Sequence, residues 1–237
     1  MTTFVLVHGA WGGAHGFRHV RKILQSAGHE VFTPSLTGIG ERVHLTSPLV
    51  NLSTHVTDVV NQILYEDLHD IVLVGFSYGG FVVTGALEHV ADRVSHLVFL
   101  DAFVPQSGDT PFGQAFGASR AKIEIGKVWL MEGPVRKFDD PSEAAWMQAR
   151  RTPQPIGCFT EAVYLPKPLE DYAFTRTYVK ATASAEGDPG NLAFLKAAKH
   201  AAVSSAWQYF EIATNHMLAS NKPAETAKVL LSIASAA

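Results

Sequence analysis

The segment Ile71–Val83, IVLVGFSYGGFVV, runs from an apolar stretch through a glycine-rich turn into a second apolar stretch with a different spacing. The first part is typical of a strand buried on both faces, and the part after Ser77 predicts a helix. Residues 75–79, GFSYG, fit G-x-S-x-G, the pattern of a turn that lifts a serine hydroxyl out of the chain between strand and helix. The segment therefore makes Ser77 a candidate nucleophile, with a turn closed by a capping serine and packing glycines as the alternative.

The same strand-then-helix order recurs on both sides of this segment. The patterns predict strands at 4–7, 30–36, 70–76, 95–102, 176–182 and 206–212, and helices at 15–28, 51–68, 77–94, near 191–200 and at 224–235. Residues 37–48 have no such pattern and predict a loop. Strands that alternate with helices imply right-handed crossovers, so we expect an α/β fold with a mostly parallel six-stranded sheet and helices on both faces.

The alternation is interrupted between residues 103 and 175. This stretch has no strand comparable to the others and is rich in proline and aromatic residues. Because a structureless loop of that length is implausible in a compact domain, we predict an inserted, mainly helical cap, with its clearest helix at 142–151. Residues 1–102 and 176–237 then form the core of what remains a single domain.

Composition excludes several classes of function. The 237 residues carry 19 basic and 22 acidic side chains with no basic block, so we expect no nucleic-acid partner. One cysteine, Cys158, rules out an intramolecular disulfide and a cysteine-based zinc site. No apolar run is long enough for a membrane span and the N-terminus lacks a basic signal region, so we expect a cytoplasmic location and no membrane partner. We expect no cofactor and no metal, and composition leaves a homodimer open.

A serine nucleophile needs two further kinds of group. Hydrogen-bond donors must stabilise the negative oxygen, or oxyanion, of the reaction intermediate, and a general base must take the proton of the serine hydroxyl. One donor would be the backbone N–H of Tyr78, and the other that of Ala10, where Gly9 gives the loop after the first strand room to approach. The base should follow the serine and the acid in the chain, which leaves His200 and His216. His200 lies in a helical pattern, whereas His216 follows a strand in a loop, so we predict His216.

The carboxylate that orients the histidine is less sharply defined. Asp101 stands directly after the strand at 95–102 and is our preferred acid. Glu186 and Asp188, several residues beyond the strand at 176–182, are the alternatives. An acid that far from its strand must reach back through a loop.

Three stretches together, FVLVHGAWGG (4–13), GFSYGG (75–80) and NHMLASNKP (215–223), resemble the α/β-hydrolase superfamily. Within it they resemble the branch that holds plant methylesterases, hydroxynitrile lyases, and bacterial EstC-like and pyrethroid-hydrolase-like carboxylesterases. Two further stretches, PSLTGIGERVHLTSP (34–48) and FLDAFVPQSGD (99–109), look most like the bacterial esterases. The lyases of that branch have Thr at the position of Gly9 and Lys at the position of Met217, so both positions favour an esterase. The plant acid aligns near Ala183 or Ser184, neither of which is acidic, and this favours Asp101.

The resemblance implies a serine carboxylesterase that acts on a small-molecule ester through an acyl-enzyme. The aromatic cap indicates a hydrophobic ester, with an aryl ester as one option, although these side chains could equally form the cap's own core. We expect the substrate pocket to be lined by Gly9, Trp11, His15, Phe112, Trp129, Trp146 and Met217. A hydroxynitrile lyase, a ligand receptor without catalysis and a cofactor-free dioxygenase remain the alternatives.

Overall fold

The central sheet has six strands, all parallel, as the alternation of strand and helix predicts. The computed structural model describes residues 1–116, 128–184, 188 and 190–235. Its strands are β1 (Thr3–Val7), β2 (Glu30–Phe32), β3 (Ile71–Phe76), β4 (Val94–Leu100), β5 (Leu130–Met131), β6 (Gln154–Pro155), β7 (Thr175–Ala181) and β8 (Gln208–Ile212). The large sheet has the order β2-β1-β3-β4-β7-β8, and β5 pairs with β6 in a separate antiparallel ladder.

Helices cover both faces of the sheet. They are α1 (Arg18–Ser26), α2 (Leu52–Tyr65), α3 (Gly79–Val90), α4 (Pro111–Phe116), α5 (Pro141–Gln148), α6 (Gly157–Thr160), α7 (Asn191–Val203), α8 (Leu218–Asn221) and α9 (Pro223–Ala234). The apolar sides of α1 and α9 pack on one face, and those of α2, α3 and α7 pack on the other. Side chains of alternate strand residues point to opposite faces of the sheet. Val72 and Val98 pack on the side of α1 and α9, and Leu73 and Phe99 pack on the side of α2, α3 and α7. This explains the unbroken apolar runs of the central strands.

Two local expectations differ from the structure. The second strand ends at Phe32 instead of residue 36, just before Pro34, whose nitrogen cannot donate to a ladder. The predicted loop at 37–48 contains a 3-10 helix, Gly40–Leu45. The helix predicted at 142–151 is α5, which begins after Asp140, whose carboxylate accepts from Ser142 N at 2.8 Å.

The segment between β4 and β7, where the sequence predicts a mainly helical cap, is described in part. Its described residues form α4, α5, α6, a 3-10 turn at Leu169–Asp171 and the β5–β6 ladder, joined by irregular chain. Prolines explain the short elements, because each removes a backbone donor and fixes the local dihedral angle. They stand at positions 105, 111, 134, 141, 153, 155, 166 and 168. The division into a core and a cap stays a prediction.

The order of the strands defines where a site can lie. From β1 the chain crosses to β2 on one side and later returns to β3 on the other side. Crossovers that leave in opposite directions open a crevice at the carboxyl ends of the two strands, which is where open α/β sheets bind ligands. Ser77 follows β3, and the loop that begins at His8 follows β1.

Among the described residues, no helix is both long and apolar enough to cross a membrane.

Three buried histidines make the stability of this fold dependent on pH. Burial lowers the pKa values of His8, His55 and His96 to about 4. The unfolded chain therefore binds more protons than the folded chain between pH about 6.5 and about 4. Their contribution to stability is complete above that window and is lost as the pH falls through it.

We expect His96→Gln to reduce the loss of folding stability at acid pH. His96 lies on β4, away from Ser77, and contacts the hydroxyl groups of Thr175 and Thr177. The slope of the unfolding free energy between pH about 6.5 and 4, measured by urea denaturation, should fall by roughly 1 kcal/mol per pH unit. A difference between variant and wild type that stays constant from neutral to acid pH would contradict this assignment.

Candidate active site

Ser77 sits in a strained turn between β3 and α3. Its φ of 55° lies in the left-handed region, which is uncommon for a residue with a side chain. Backbone hydrogen bonds hold it there: its N–H donates to Leu100 O at 3.3 Å, and its carbonyl accepts from Gly80 N at 3.1 Å and Phe103 N at 3.2 Å. The turn is thus fixed against the end of β4, which stabilises the strained residue.

The glycines around Ser77 allow close contact between segments of backbone. A Cβ on Gly75 would lie 2.8 Å from Gly79 O, and a Cβ on Gly79 would lie 2.6 Å from Val7 O in β1. The sequence motif misses Gly80, where a Cβ would lie only 2.0 Å from Phe103 O. The three glycines therefore let the start of α3 pack directly against β3, β1 and the chain that follows β4.

Ser77, His216 and Asp101 form one chain of hydrogen bonds. Ser77 Oγ lies 2.9 Å from His216 Nε2, and His216 Nδ1 lies 2.7 Å from Asp101 Oδ2. All three residues are buried, at 9%, 4% and 0% exposure. The residues that the sequence analysis prefers as nucleophile, base and acid are thus brought together from the ends of β3, β8 and β4.

Two aromatic rings hold the imidazole of His216 in place. Phe194 of α7 stacks on it, with ring centroids 5.1 Å apart and an interplanar angle of 7°, and Phe76 lies 4.8 Å away. Sequence reasoning misses Phe194 because it lies far from the motif in a helix with no distinguishing pattern. The rings restrict the imidazole to an orientation that serves both of its hydrogen bonds.

A buried lysine neutralises the carboxylate. Lys180 Nζ donates to Asp101 Oδ1 at 2.6 Å and to Ala181 O at 2.6 Å, and Ala181 N also donates to Asp101 Oδ1 at 3.2 Å. The lysine side chain is only 5% exposed. Sequence reasoning misses it, although a lysine inside the buried strand RTYVKAT is a signal that the charge needs a partner.

Burial and these neighbours set the proton positions. Burial opposes the charge on Asp101, but the hydrogen bond from His216 and the positive charge of Lys180 hold the pKa of the carboxyl below its usual value. Burial lowers the pKa of His216 despite the attraction of Asp101. His216 is therefore neutral at pH 7: its Nδ1–H donates to Asp101, and its Nε2 accepts from the hydroxyl of Ser77.

The alternative acids are not in this position. Asp188 forms an ion pair with Arg136 at 3.3 Å instead of contacting the imidazole. Glu186 lies outside the described residues. His200, the alternative base, is exposed and pairs with Glu170 at 3.2 Å. Among the described residues, Asp101 is the carboxylate within hydrogen-bond distance of His216.

The loop after β1 packs directly on Ser77. A Cβ on Gly9 would lie 3.0 Å from Ser77 Cβ, so a larger residue would press on the serine. His8 fixes the loop, because its Nδ1–H donates to Gly9 O at 2.9 Å and its Nε2 accepts from Leu36 N at 3.1 Å. Ala10 lines the same cavity as Ser77. Its role as an oxyanion donor, like that of Tyr78, stays a prediction.

The side chain of Tyr78 is anchored in the core. Its hydroxyl donates to His55 Nδ1 at 3.0 Å, and His55 Nε2–H donates to Thr37 O at 2.8 Å. Burial keeps the pKa of this hydroxyl well above its usual value, so it remains a donor. These bonds fix the residue that follows the serine and thereby the direction of its backbone N–H. Sequence reasoning misses His55 because α2 is distant in the chain.

The cavity at Ser77 matches the predicted pocket only in part. Gly9, Trp11 and Met217 line it as expected. Side chains that the sequence analysis did not choose complete its wall, among them Phe17, Phe76, Arg136, Met147 and Arg151.

Four predicted pocket residues lie elsewhere, which corrects the expectation. His15 pairs with Glu41 at 2.9 Å. Phe112 is buried in the core on the side of α2 and α3. Trp129 is 41% exposed. Trp146 packs between the guanidinium groups of Arg18 and Arg150, at 3.6 and 4.0 Å from its ring.

Comparisons with known proteins agree with this architecture. The sequence model of the alpha/beta hydrolase family matches residues 4–229. A carbendazim hydrolyzing esterase from Nocardioides sp. is 50% identical over 110 residues, which are 46% of each chain. Methylesterase 8 from Arabidopsis thaliana is 31% identical over 118 residues, 46% of this chain and 40% of that protein. The matched region thus spans about half the length of these curated relatives, or less.

A solved structure resembles the whole chain. It is an extracellular α/β-hydrolase from a Paenibacillus species, which aligns over 98% of both chains with a TM-score of 0.79. Its sequence identity of 24% is low, so the likeness supports the fold alone.

Removing the charge of Lys180 should raise the pKa of His216. In Lys180→Met the carboxylate of Asp101 is left without its cation, so it attracts a proton on His216 more strongly. We expect an increase of roughly one pKa unit, measured by NMR titration of the imidazole resonances. The exposed Lys199→Met is the matched control. An unchanged or lowered pKa in a variant that is folded by circular dichroism would contradict the assigned role of Lys180.

Proposed function

The chain belongs to the alpha/beta hydrolase family, and on that basis we propose that it is a serine carboxylesterase. The observation that carries the proposal is the continuous hydrogen-bonded chain from Ser77 through His216 to Asp101, at 2.9 and 2.7 Å. A serine, a neutral histidine and a buried carboxylate in this order are the parts that acyl transfer requires.

In the first half of the reaction, Ser77 Oγ attacks the ester carbonyl carbon while its proton passes to His216 Nε2. The new imidazolium is stabilised by Asp101, to which its Nδ1–H already donates. The C–O bond to the alcohol then breaks, and the alcohol leaves with the proton from His216. The serine remains as an acyl-enzyme.

In the second half, a water molecule gives a proton to His216 as its oxygen attacks the acyl carbon. The bond to Ser77 breaks, the serine regains the proton, and the carboxylic acid leaves. The negative oxygen of both tetrahedral intermediates would accept from the backbone N–H groups of Ala10 and Tyr78. Anchoring of these residues by His8 and His55 supports that role, because donors that are fixed in advance need no reorganisation.

Two residues favour ester hydrolysis over cyanohydrin cleavage. Gly9 and Met217 line the cavity, and neither side chain offers a hydroxyl or an ammonium group to a leaving cyanide. Two of the relatives are named as esterases, which supports the same reaction class. The apolar side chains of Phe17, Phe76 and Met147 line the cavity and suit a small, largely hydrophobic ester.

We expect Ser77→Ala to abolish ester hydrolysis without unfolding the protein. Turnover of 4-nitrophenyl acetate should fall by roughly 10⁴-fold or more, because the variant has no nucleophile. The exposed Ser232→Ala on α9 is the control and should retain full activity. A fluorophosphonate probe should label wild type but not Ser77→Ala. Activity that survives in the variant, or release of cyanide from mandelonitrile in place of ester cleavage, would overturn the proposal.

The acid can be assigned by a paired substitution. In Asp101→Asn the amide cannot stabilise the imidazolium and favours the wrong tautomer, so kcat should fall by on the order of 10³–10⁴. Asp188→Asn should change kcat by less than about tenfold, because Asp188 acts on His216 only through space. The reverse ranking of the two variants would assign the acid to Asp188.

A further inference from the structure

Two arginines line the same cavity as Ser77. Arg136 lies between β5 and α5, and Arg151 lies just beyond α5. The side chain of Arg136 is only 7% exposed. The mechanism proposed above gives neither arginine a task.

The two arginines differ in how their charges are balanced. Arg136 pairs with Asp188 at 3.3 Å. Within the described part of the chain, Arg151 has no acidic group within ion-pair distance, and its buried Nη2 has no hydrogen-bond partner. Burial, together with repulsion by Arg136, lowers the pKa of Arg151 to about 10. Arg151 is thus a cation that stays charged at pH 7 beside a second cation and without a counter-ion.

The surroundings of Arg151 hold its guanidinium in a defined place. A Cβ on Gly133 would lie 2.3 Å from Arg151 Nη2 and 2.7 Å from the Trp11 ring, so the glycine makes room for both groups. Trp11 is itself fixed, since its Nε1–H donates to Met131 O at 2.9 Å.

The same segment is tied to the loop that packs on Ser77. Thr152 N donates to Trp11 O at 3.2 Å, and Trp11 N donates to Gln154 Oε1 at 2.9 Å. The position of Arg151 is therefore set relative to Gly9 and Ala10. The backbone that carries Arg151 is therefore fixed against the loop that packs on Ser77.

We propose that Arg151, supported by Arg136, binds a carboxylate on the substrate, so that the preferred esters carry a second, ionised acid group. A partly buried charge is costly unless an opposite charge accompanies it, and the guanidinium fork matches a carboxylate in two hydrogen bonds. Monoesters of dicarboxylic acids have this chemistry, and their carbon skeleton suits the apolar wall of the cavity. The inference rests on the esterase function proposed above and narrows its substrate class.

Matched esters test the inference. Mono-4-nitrophenyl glutarate and 4-nitrophenyl pentanoate differ in a terminal carboxylate, and 4-acetoxybenzoate and 4-methylphenyl acetate place the same difference on the alcohol side. Wild type should prefer one acidic ester over its neutral partner by about tenfold or more in kcat/KM. Arg151→Gln should lower kcat/KM for that acidic ester by about 10- to 100-fold, largely through KM, and leave the neutral esters within about threefold.

Two controls separate recognition of the anion from a structural effect. Arg150→Gln removes the adjacent arginine, which is exposed and stacks on Trp146, and should change neither ester. Arg151→Met should leave the melting temperature unchanged or raise it, because it removes an uncompensated charge. A fall in melting temperature with equal loss on both esters would mean that Arg151 is structural and would overturn the inference.

The failure of the inference is distinguishable from failure of the esterase function. If wild type hydrolyses neutral esters equally well or better, and Arg151→Gln affects all esters alike, the function stands and the carboxylate subsite does not. If no ester is hydrolysed, glutarate is titrated calorimetrically into wild type and Arg151→Gln. Binding that only wild type shows would support the subsite, and the absence of binding to wild type would overturn it.

Discussion

The arrangement at the carboxyl edge of the sheet depends on one buried charge, the carboxylate of Asp101. A fully buried ion is costly unless hydrogen bonds and an opposite charge accompany it. Here Lys180 and the N–H of Ala181 bind one oxygen and His216 binds the other, while Asp101 N donates to Val179 O at 2.7 Å. The same interactions therefore join the end of β4 to β7 and to the loop after β8. The hydrogen bonds that stabilise the Asp101 carboxylate therefore also position the imidazole of His216.

The second constraint is the close approach of backbone at the start of α3. Gly79 packs on Val7 O and Gly80 on Phe103 O, which fixes the turn at Ser77 between the ends of β1 and β4. With Asp101 holding the histidine from the far side, the serine and its hydrogen-bond partner are both set by strand ends. The segment between β4 and β7 helps to hold the turn at Ser77 through Phe103, and it adds Arg136, Met147 and Arg151 to the cavity.

Much of this could be predicted from sequence, for a physical reason. Buried parallel strands have long apolar runs, and a strand-to-helix turn with a strained serine has glycines close by in the sequence. Short segments of sequence are therefore enough to predict the sheet and Ser77. His216 and Asp101 follow from their places after strands. Phe194 and Lys180 lie in elements whose neighbours only the fold determines. The aromatic residues of 103–175 give a partly wrong prediction of the pocket lining for a related reason. Composition does not tell whether a side chain such as Trp146 faces the cavity or packs on two arginines.

The position of the acid at residue 101 and the buried lysine at residue 180 depend on each other. Ala183 N donates to Thr214 O at 2.8 Å, so the chain after β7 runs beside the loop that carries His216, and residues 183 and 184 offer it no carboxylate. Placing the acid at the end of β4 instead puts it beside the neighbouring strand β7, with little solvent to stabilise its charge. Lys180 supplies that stabilisation from β7, and it also weakens the pull of Asp101 on the proton of His216. Burial lowers the pKa of His216, so the base stays neutral at pH 7 while it faces a buried carboxylate, and the need to stabilise that carboxylate ties the residue at position 180 to the residue at position 101.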